Sequence, residues 1–175
     1  MQTHNYWPCR LAQIKLRQTS EGRILHSPII LRRADFADVE AITELVRAAY
    51  SPYIARIGKP PAPMLDDYRQ VVADAEVHVA LKGARIAGVL VLEREGDEML
   101  LANIAVLPEC KGQGIGKMLM QLSETRTRQA GCSAVRLYTH ERMTENIEIY
   151  RKLGYVETHR AEEQGFSRVF MRKAL

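Results

Sequence analysis

The segment Lys111-Gly112-Gln113-Gly114-Ile115-Gly116-Lys117 constrains this chain more than any other feature, because of what lies on either side of it. Before it, Met99 to Leu107 is an apolar run closed by Pro108. After it, Met118, Leu119, Leu122 and Thr125 recur at helical spacing, and Gly131 stands where a helix would end. A strand must therefore turn through a glycine loop directly into a helix. The first turn of that helix leaves backbone N–H groups without intrahelical partners, and its dipole adds roughly half a positive charge. Glycines let a ligand approach the backbone with no Cβ in the way. Glycines also serve tight turns, but alternating glycines between two lysines at a helix start favour a bound phosphate or pyrophosphate.

Two familiar phosphate loops do not fit. A P-loop needs four residues between its glycines and then Lys-Ser/Thr. Here three residues separate Gly112 from Gly116, and Met118 follows Lys117. A dinucleotide loop needs G-x-G-x-x-G and an acidic residue closing the next strand. This loop is G-x-G-x-G, and the next strand ends in Leu137-Tyr138-Thr139.

The rest of the chain supplies a mixed α/β order. Ile29 to Leu31 is β-prone, and Asp35 is placed to cap a helix with Val39, Ile42, Leu45, Val46 and Ala49 on one face. The prolines of Gly58 to Pro63 exclude a helix there, and a shorter helix resumes around Asp66 to Ala73. Val77, Val79 and Leu81 alternate with polar neighbours, then Ile86 to Leu92 follows a turn near Gly83, giving a hairpin. Gly96-Asp97 turns into the Met99 strand and completes an antiparallel meander. Met99 to Thr139 then reads as a right-handed βαβ crossover. Ile147, Tyr150 and Leu153 mark a last helix stopped at Gly154, and two closing strands flank Glu162 to Gly165.

Composition narrows the class. With 175 residues, 46% hydrophobic and 26% charged, the chain is long enough for one core and reads as one domain over residues 28–175. Residues 1–27 lack any period and form an extension, either a mobile tail or an element docked by Tyr6, Trp7 and Leu11. The 25 basic against 21 acidic residues give +4 without a like-charged block, so no nucleic-acid arm is expected. Cys9, Cys110 and Cys132 form neither a disulfide framework nor a zinc pattern, so no metal is expected. No apolar run approaches the roughly 20 residues of a membrane span, and no secretory leader is visible. The expectation is a cytoplasmic protein without membrane contact.

Ile104-Ala105-Val106-Leu107-Pro108 followed by Lys111-x-x-Gly114-x-Gly116 resembles the acyl-CoA-binding core of the GNAT N-acetyltransferase superfamily. The segment from Glu145-Asn146-Ile147 through Tyr150 to Gly154-Tyr155 looks like that family's second cofactor segment. Lys111 stands where Gln or Arg is usual, Met143 where many relatives carry Asn, and Ala102 where some carry a Glu before Asn103.

The resemblance implies a mostly antiparallel twisted sheet with flanking helices, whose fourth strand splays from the fifth. Pantetheine would pair with the backbone of Ile104 and Val106, beside Ala105. Gly112, Gln113, Gly114, Ile115 and Gly116 would offer amides to the pyrophosphate of acetyl-CoA, with Lys111 and Lys117 adding charge and Asn146 a polar contact. The Val106 amide would stabilise the thioester oxygen, and Tyr150 would protonate the departing thiolate. Tyr150 also fits a core position between Ile147 and Leu153. His140 and Glu141 rank first as base, ahead of His78, Glu93 and Asp67; an ordered water chain could replace them all. Tyr50, Tyr53 and Tyr68 flank the proline-rich segment, the expected roof of the acceptor site.

Two functions follow: an acetyl-CoA-dependent N-acetyltransferase acting on a primary amine, or a non-catalytic acyl-CoA-binding module. The positive net charge argues against polycationic acceptors. The closing strands near residues 155–171 could pair across a two-fold to form a homodimer.

Overall fold

The computed structural model describes residues 28–175, so the expectations for residues 1–27 fall outside it. One seven-stranded sheet runs through these residues in the order β1-β2-β3-β4-β5-β7-β6. The strands are β1 (Ile29–Arg33), β2 (Glu76–Lys82), β3 (Arg85–Glu95), β4 (Glu98–Val106), β5 (Ala134–His140), β6 (Val156–Glu163) and β7 (Phe166–Ala174). The helices are α1 (Val39–Ile57), α2 (Tyr68–Asp74), α3 (Ile115–Gln129) and α4 (Thr144–Lys152). Every neighbouring pair is antiparallel except β4 and β5, which run parallel and are joined through α3. The expected meander and βαβ crossover are both present.

The meander follows from its turns. Lys82 pairs with Arg85 and Glu95 with Glu98, so each hairpin closes over two residues. Gly83 and Gly96 open those turns with φ of 63° and 64°, the left-handed region that such tight hairpins require.

β3 carries the core. Ile86 through Leu92 is buried without interruption, as a strand covered on both faces must be. Both α1 and α3 pack against β3 and β4. Gly88 lets α3 come close: a Cβ there would sit 2.9 Å from Ile115 Cγ2 and 3.0 Å from Leu119 Cδ1. The sheet therefore holds the first turn of α3, and with it the glycine loop, directly against its centre.

Asp35 caps as expected, but it caps a 3₁₀ turn, Phe36–Asp38, rather than α1 itself. Asp38 returns a bond to the Asp35 amide and takes both guanidinium nitrogens of Arg32 at 2.6 and 2.7 Å. The hydrogen bonds from Arg32 hold the Asp38 carboxyl below its usual pKa, against the opposing effect of burial. α1 runs further than its apolar spacing suggests, through Pro52 to Ile57, and ends at Gly58 with φ of 87°. The expectation of no helix across Gly58 to Pro63 is corrected at its end, where Ala62–Met64 forms a 3₁₀ turn. A first helical turn tolerates proline, because the missing N–H would have had no partner there.

Gly88→Ala should cost about 1–3 kcal/mol, the usual range for overpacking a filled core. Because the added methyl pushes on the first turns of α3, CoA affinity should fall in parallel. Urea unfolding and calorimetry on the same variant check both effects.

Candidate active site

The site begins where the sheet opens. β4 pairs with β5 only from Glu98 opposite Ala134 to Leu101 opposite Leu137. On its other edge β4 carries a bulge: Leu101 pairs with Leu92 and Asn103 with Val91, leaving Ala102 unmatched. An extra residue bends a strand, and beyond Ala102 β4 has left β5. Leu107 donates its N–H to Ala87 at 2.9 Å. Direction alternates along an antiparallel ladder, so Asn103 and Ala105 also bond toward β3. Ile104 and Val106 consequently turn their backbone N–H and C=O groups into the gap.

At the end of β4 the chain enters the loop. Gly112 and Gly114 adopt φ of 76° and 82°, whereas Gly116 lies in the first turn of α3. A Cβ at Gly112 or Gly114 would meet nothing within 4 Å, so the backbone faces open space. The N–H groups of Gly114, Ile115, Gly116 and Lys117 find no protein acceptor among the described residues. This is a cradle for an anion. The Gln113 side chain braces the loop instead of entering it, donating to Glu109 O and accepting from Lys82 Nζ at 2.7 Å.

From the cradle a cleft of about 550 Å³ runs along the gap, lined by Lys111, Lys117, Ile104, Ala105, Val106 and the face of α4. A second, smaller cavity of about 60 Å³ lies on the far side, walled by Ile57, Pro61, Pro63, Tyr138, His140, Phe166 and Arg168. Tyr50, Ile104, Asn146 and Tyr150 line both. The two cavities meet at these side chains.

Local bonding fixes the junction. Tyr50 donates to Asn103 Oδ1 at 2.8 Å, Asn103 Nδ2 donates to the Tyr68 hydroxyl at 2.8 Å, and Tyr68 donates to Pro63 O at 3.0 Å. That chain ties the proline roof to the bulge. Met143, the N-cap of α4, is buried and accepts from Thr139 Oγ1 and Asn146 Nδ2 through its sulfur at 3.6 and 3.7 Å. Arg56 of α1 grips Glu145 of α4 at 2.7 and 2.9 Å across the gap. Tyr150 is 8% exposed and packs on Tyr155 with ring centroids 5.9 Å apart. Burial, with a smaller contribution from Tyr53, pushes the Tyr150 phenol above its usual pKa.

Residues 73–157 match the family model of the acetyltransferase (GNAT) domain. Those residues are identified as a GNAT acetyltransferase domain. Its fold is shared with the PaiA N-acetyltransferase of Thermoplasma acidophilum in complex with coenzyme A. That match has 20% identity and a TM-score of 0.72 over 85% of this chain and 99% of that one. The ribosomal-protein-S18-alanine N-acetyltransferase of Escherichia coli matches at 16% identity and TM-score 0.68, over 84% of this chain and 94% of its own. The IAA acetyltransferase of Bacillus cereus matches at 20% and 0.64, over 85% and 100%. No curated protein matches the sequence. The domain is an acyltransferase.

Within the GNAT domain, the candidate bases separate. His140 lines the smaller cavity, and burial lowers its pKa, so it is neutral near pH 7. Its Nδ1 accepts the Arg142 N–H at 3.1 Å, which places the ring proton on Nε2. With Nδ1 so engaged, the neutral ring has no free lone pair to serve as a base. Glu141 is exposed and lines neither cavity. Asp67 caps α2 through the Arg69 amide at 2.9 Å. His78 pairs with Glu76 at 2.7 Å, and Glu93 is exposed on β3. None of these last four reaches the junction.

Sequence reasoning missed Asn103, Phe166 and Arg168. Asn103 follows the bulge, which no local pattern announces. Phe166 and Arg168 sit two apart on β7, and that alternation was a visible sign that they share a face. Among the described residues no helix is long and apolar enough to cross a membrane, and no cluster of three potential metal ligands occurs.

Gly114→Asp should weaken CoA binding by at least about 100-fold, since like charges in contact cost several kcal/mol. Gly114→Ala is the control, because it carries the left-handed backbone cost of about 1–2 kcal/mol without the charge. Equal affinities for the two variants by calorimetry would place the anion elsewhere.

Proposed function

We propose that the domain transfers acetyl from acetyl-CoA to a primary amine by direct attack while both substrates are bound. The observation that carries this reading is the meeting of the two cavities at Tyr50, Ile104, Asn146 and Tyr150. A thioester threaded along the larger cleft reaches an amine held in the smaller one only at that point. None of those four residues is a cysteine, serine or lysine, so the junction favours direct transfer over an acetylated enzyme.

Acetyl-CoA brings the activated thioester; the rest falls to the chain. The amides of Gly112, Gln113, Gly114, Ile115 and Gly116 hold the pyrophosphate, and Lys111 and Lys117 add charge beside it. The backbone groups of Ile104 and Val106 that face the gap pair with the pantetheine as an open strand edge pairs with an extended guest. The Val106 N–H stabilises the thioester oxygen as negative charge builds on it. Asn146 orients the arm where the cavities meet. Tyr150 gives its proton to the sulfur as the C–S bond breaks, and the proton shed by the attacking nitrogen as the C–N bond forms returns through solvent to the phenolate. Burial raises the phenol pKa, but it also destabilises the departing thiolate, so donor and acceptor rise together.

The acceptor arrives neutral. Because the His140 lone pair is held by the Arg142 amide, the amine gives its proton to solvent before attack. kcat/KM should then rise with pH through the acceptor's own pKa, about 8 for an α-amine and about 10.4 for a lysine-type amine. His140→Gln should leave that limb in position. A limb that vanishes in the variant would restore His140 as the base.

Tyr150→Phe keeps the ring against Tyr155, so melting temperature and CoA affinity should hold. Turnover should fall roughly 10- to 1,000-fold, in kcat more than in KM, as for loss of a positioned acid. Full kcat in the Phe variant would make Tyr150 a packing residue. Thiol release with a panel of amines at saturating acetyl-CoA tests the reading as a whole. Tight CoA binding without turnover on any amine would replace it with an acyl-CoA-binding module.

A further inference from the structure

The smaller cavity has a polarity that its role as an amine site does not by itself explain. No Asp or Glu lines it among the described residues, so an incoming ammonium finds no counter-charge. Its one formally charged lining group is Arg168, which is only 9% exposed. The guanidinium lies over the Tyr138 ring, 4.0 Å from its centroid, which fixes its plane. Nη1 donates to Glu163 at 3.0 Å and Nη2 to Gln164 at 3.4 Å. Arginine carries five N–H donors, so most of the fork has no protein partner among the described residues. Glu163, itself 47% exposed, forms a contact ion pair with Nη1 and offsets part of the charge, but it leaves the remaining N–H donors of the fork unpaired.

Two neighbouring cations add the same sign. Lys59 stands over Phe166 at 3.7 Å from the ring centroid and donates to Gly165 O at 2.6 Å. Arg142 donates to Arg56 O at 2.6 Å. Burial lowers the His140 pKa most, and Arg142 and Lys59 lower it further against the opposing charge of Glu141. The apolar walls, from Pro61, Pro63, Ile57 and Phe166, enclose only a small volume.

We propose that the acceptor is a small amino acid or similar aminocarboxylate, whose carboxylate pairs with the free donors of Arg168 while its amine points to the cavity junction. This rests on the transferase reading above and specifies its acceptor. A guanidinium fork matches a carboxylate in two parallel N–H···O bonds, and a site already stacked and buried loses little freedom in making them. Polyamines and other polycations are excluded by the same field that draws the carboxylate in.

Matched pairs test this in the wild-type protein: glycine, alanine and phenylalanine, each against its own carboxamide, by thiol release at saturating acetyl-CoA. The carboxamide amine is the less basic of each pair, so the bias in neutral amine runs against the proposal. kcat/KM should favour the acid by roughly 10- to 100-fold in at least one pair, the range of a hydrogen bond to a charged group. Arg168→Met, which keeps an unbranched stem but removes the guanidinium, should narrow that ratio to within about 3-fold, the change lying in KM. Calorimetry should show CoA affinity retained, confirming a folded cleft. Carboxamides or diamines turned over as well as the acids would overturn the carboxylate assignment and leave amine transfer standing. CoA bound tightly with no thiol release from any amine would overturn both.

Discussion

A backbone that declines to pair organises this molecule. Buried N–H and C=O groups are nearly always satisfied, and a sheet satisfies them along both edges of every inner strand. β4 is an inner strand, yet past Ala102 one of its edges has no neighbour. Ile104 and Val106 present donors and acceptors to a cleft instead of to β5. An arrangement like this is costly unless something extended completes it, and pantetheine, an amide-bearing chain, has the right chemistry. On the proposed reading, cofactor recognition would supply the missing strand.

Such a gap must be held open, and the contacts that hold it differ in kind. On the roof side, the Tyr50–Asn103–Tyr68–Pro63 chain spans α1, β4, α2 and the proline segment through hydrogen bonds of 2.8 to 3.0 Å. Burial raises the pKa of both phenols, so they stay protonated donors and the chain keeps its direction. Across the mouth, Arg56 and Glu145 form an exposed ion pair of two bonds. Exposed pairs contribute little to stability, so this one is better suited to a closure that yields when a ligand enters. Behind the loop, Gly88 seats α3 against β3, which aims the first turn of the helix at the end of β4.

The glycine loop, the meander and the crossover were all legible in the sequence, because each rests on a local signal. Glycines at 83, 96, 112 and 114 adopt the left-handed backbone that only glycine takes cheaply. Periodicity of two or of 3.6 separates β2 from α3 without knowledge of the fold. The bulge at Ala102 was not legible, since it exists only relative to β3, and Asn103 was therefore given no role. α1 outran its apolar stripe for a related reason. Its last turns are kept by Tyr53 against the core and by Arg56 on α4, contacts made at long range. Among the base candidates, sequence could place His140 at a strand end but not reveal that the Arg142 amide occupies its Nδ1.

Charge shows how local arrangement refines a global number. The net +4 speaks against polycationic partners only as a long-range field, which salt screens within about 8–10 Å. The two cavities divide positive charge by function. Around the cleft, Lys111 and Lys117 are mobile ammonium groups on the rim of a loop of free amides, suited to a multiply charged pyrophosphate whose exact pose the backbone decides. In the smaller cavity, Arg168 is planar, stacked and buried, and in the proposed acceptor complex the side chain itself would set orientation. A flexible charge beside a rigid backbone cradle and a rigid charge beside apolar walls solve the same problem, holding an anion still while the reacting atoms meet. Both proposed anion sites flank the junction at Tyr150, so each substrate would be anchored by its inert end. The reactive ends would then be left in the one place where no charged side chain stands.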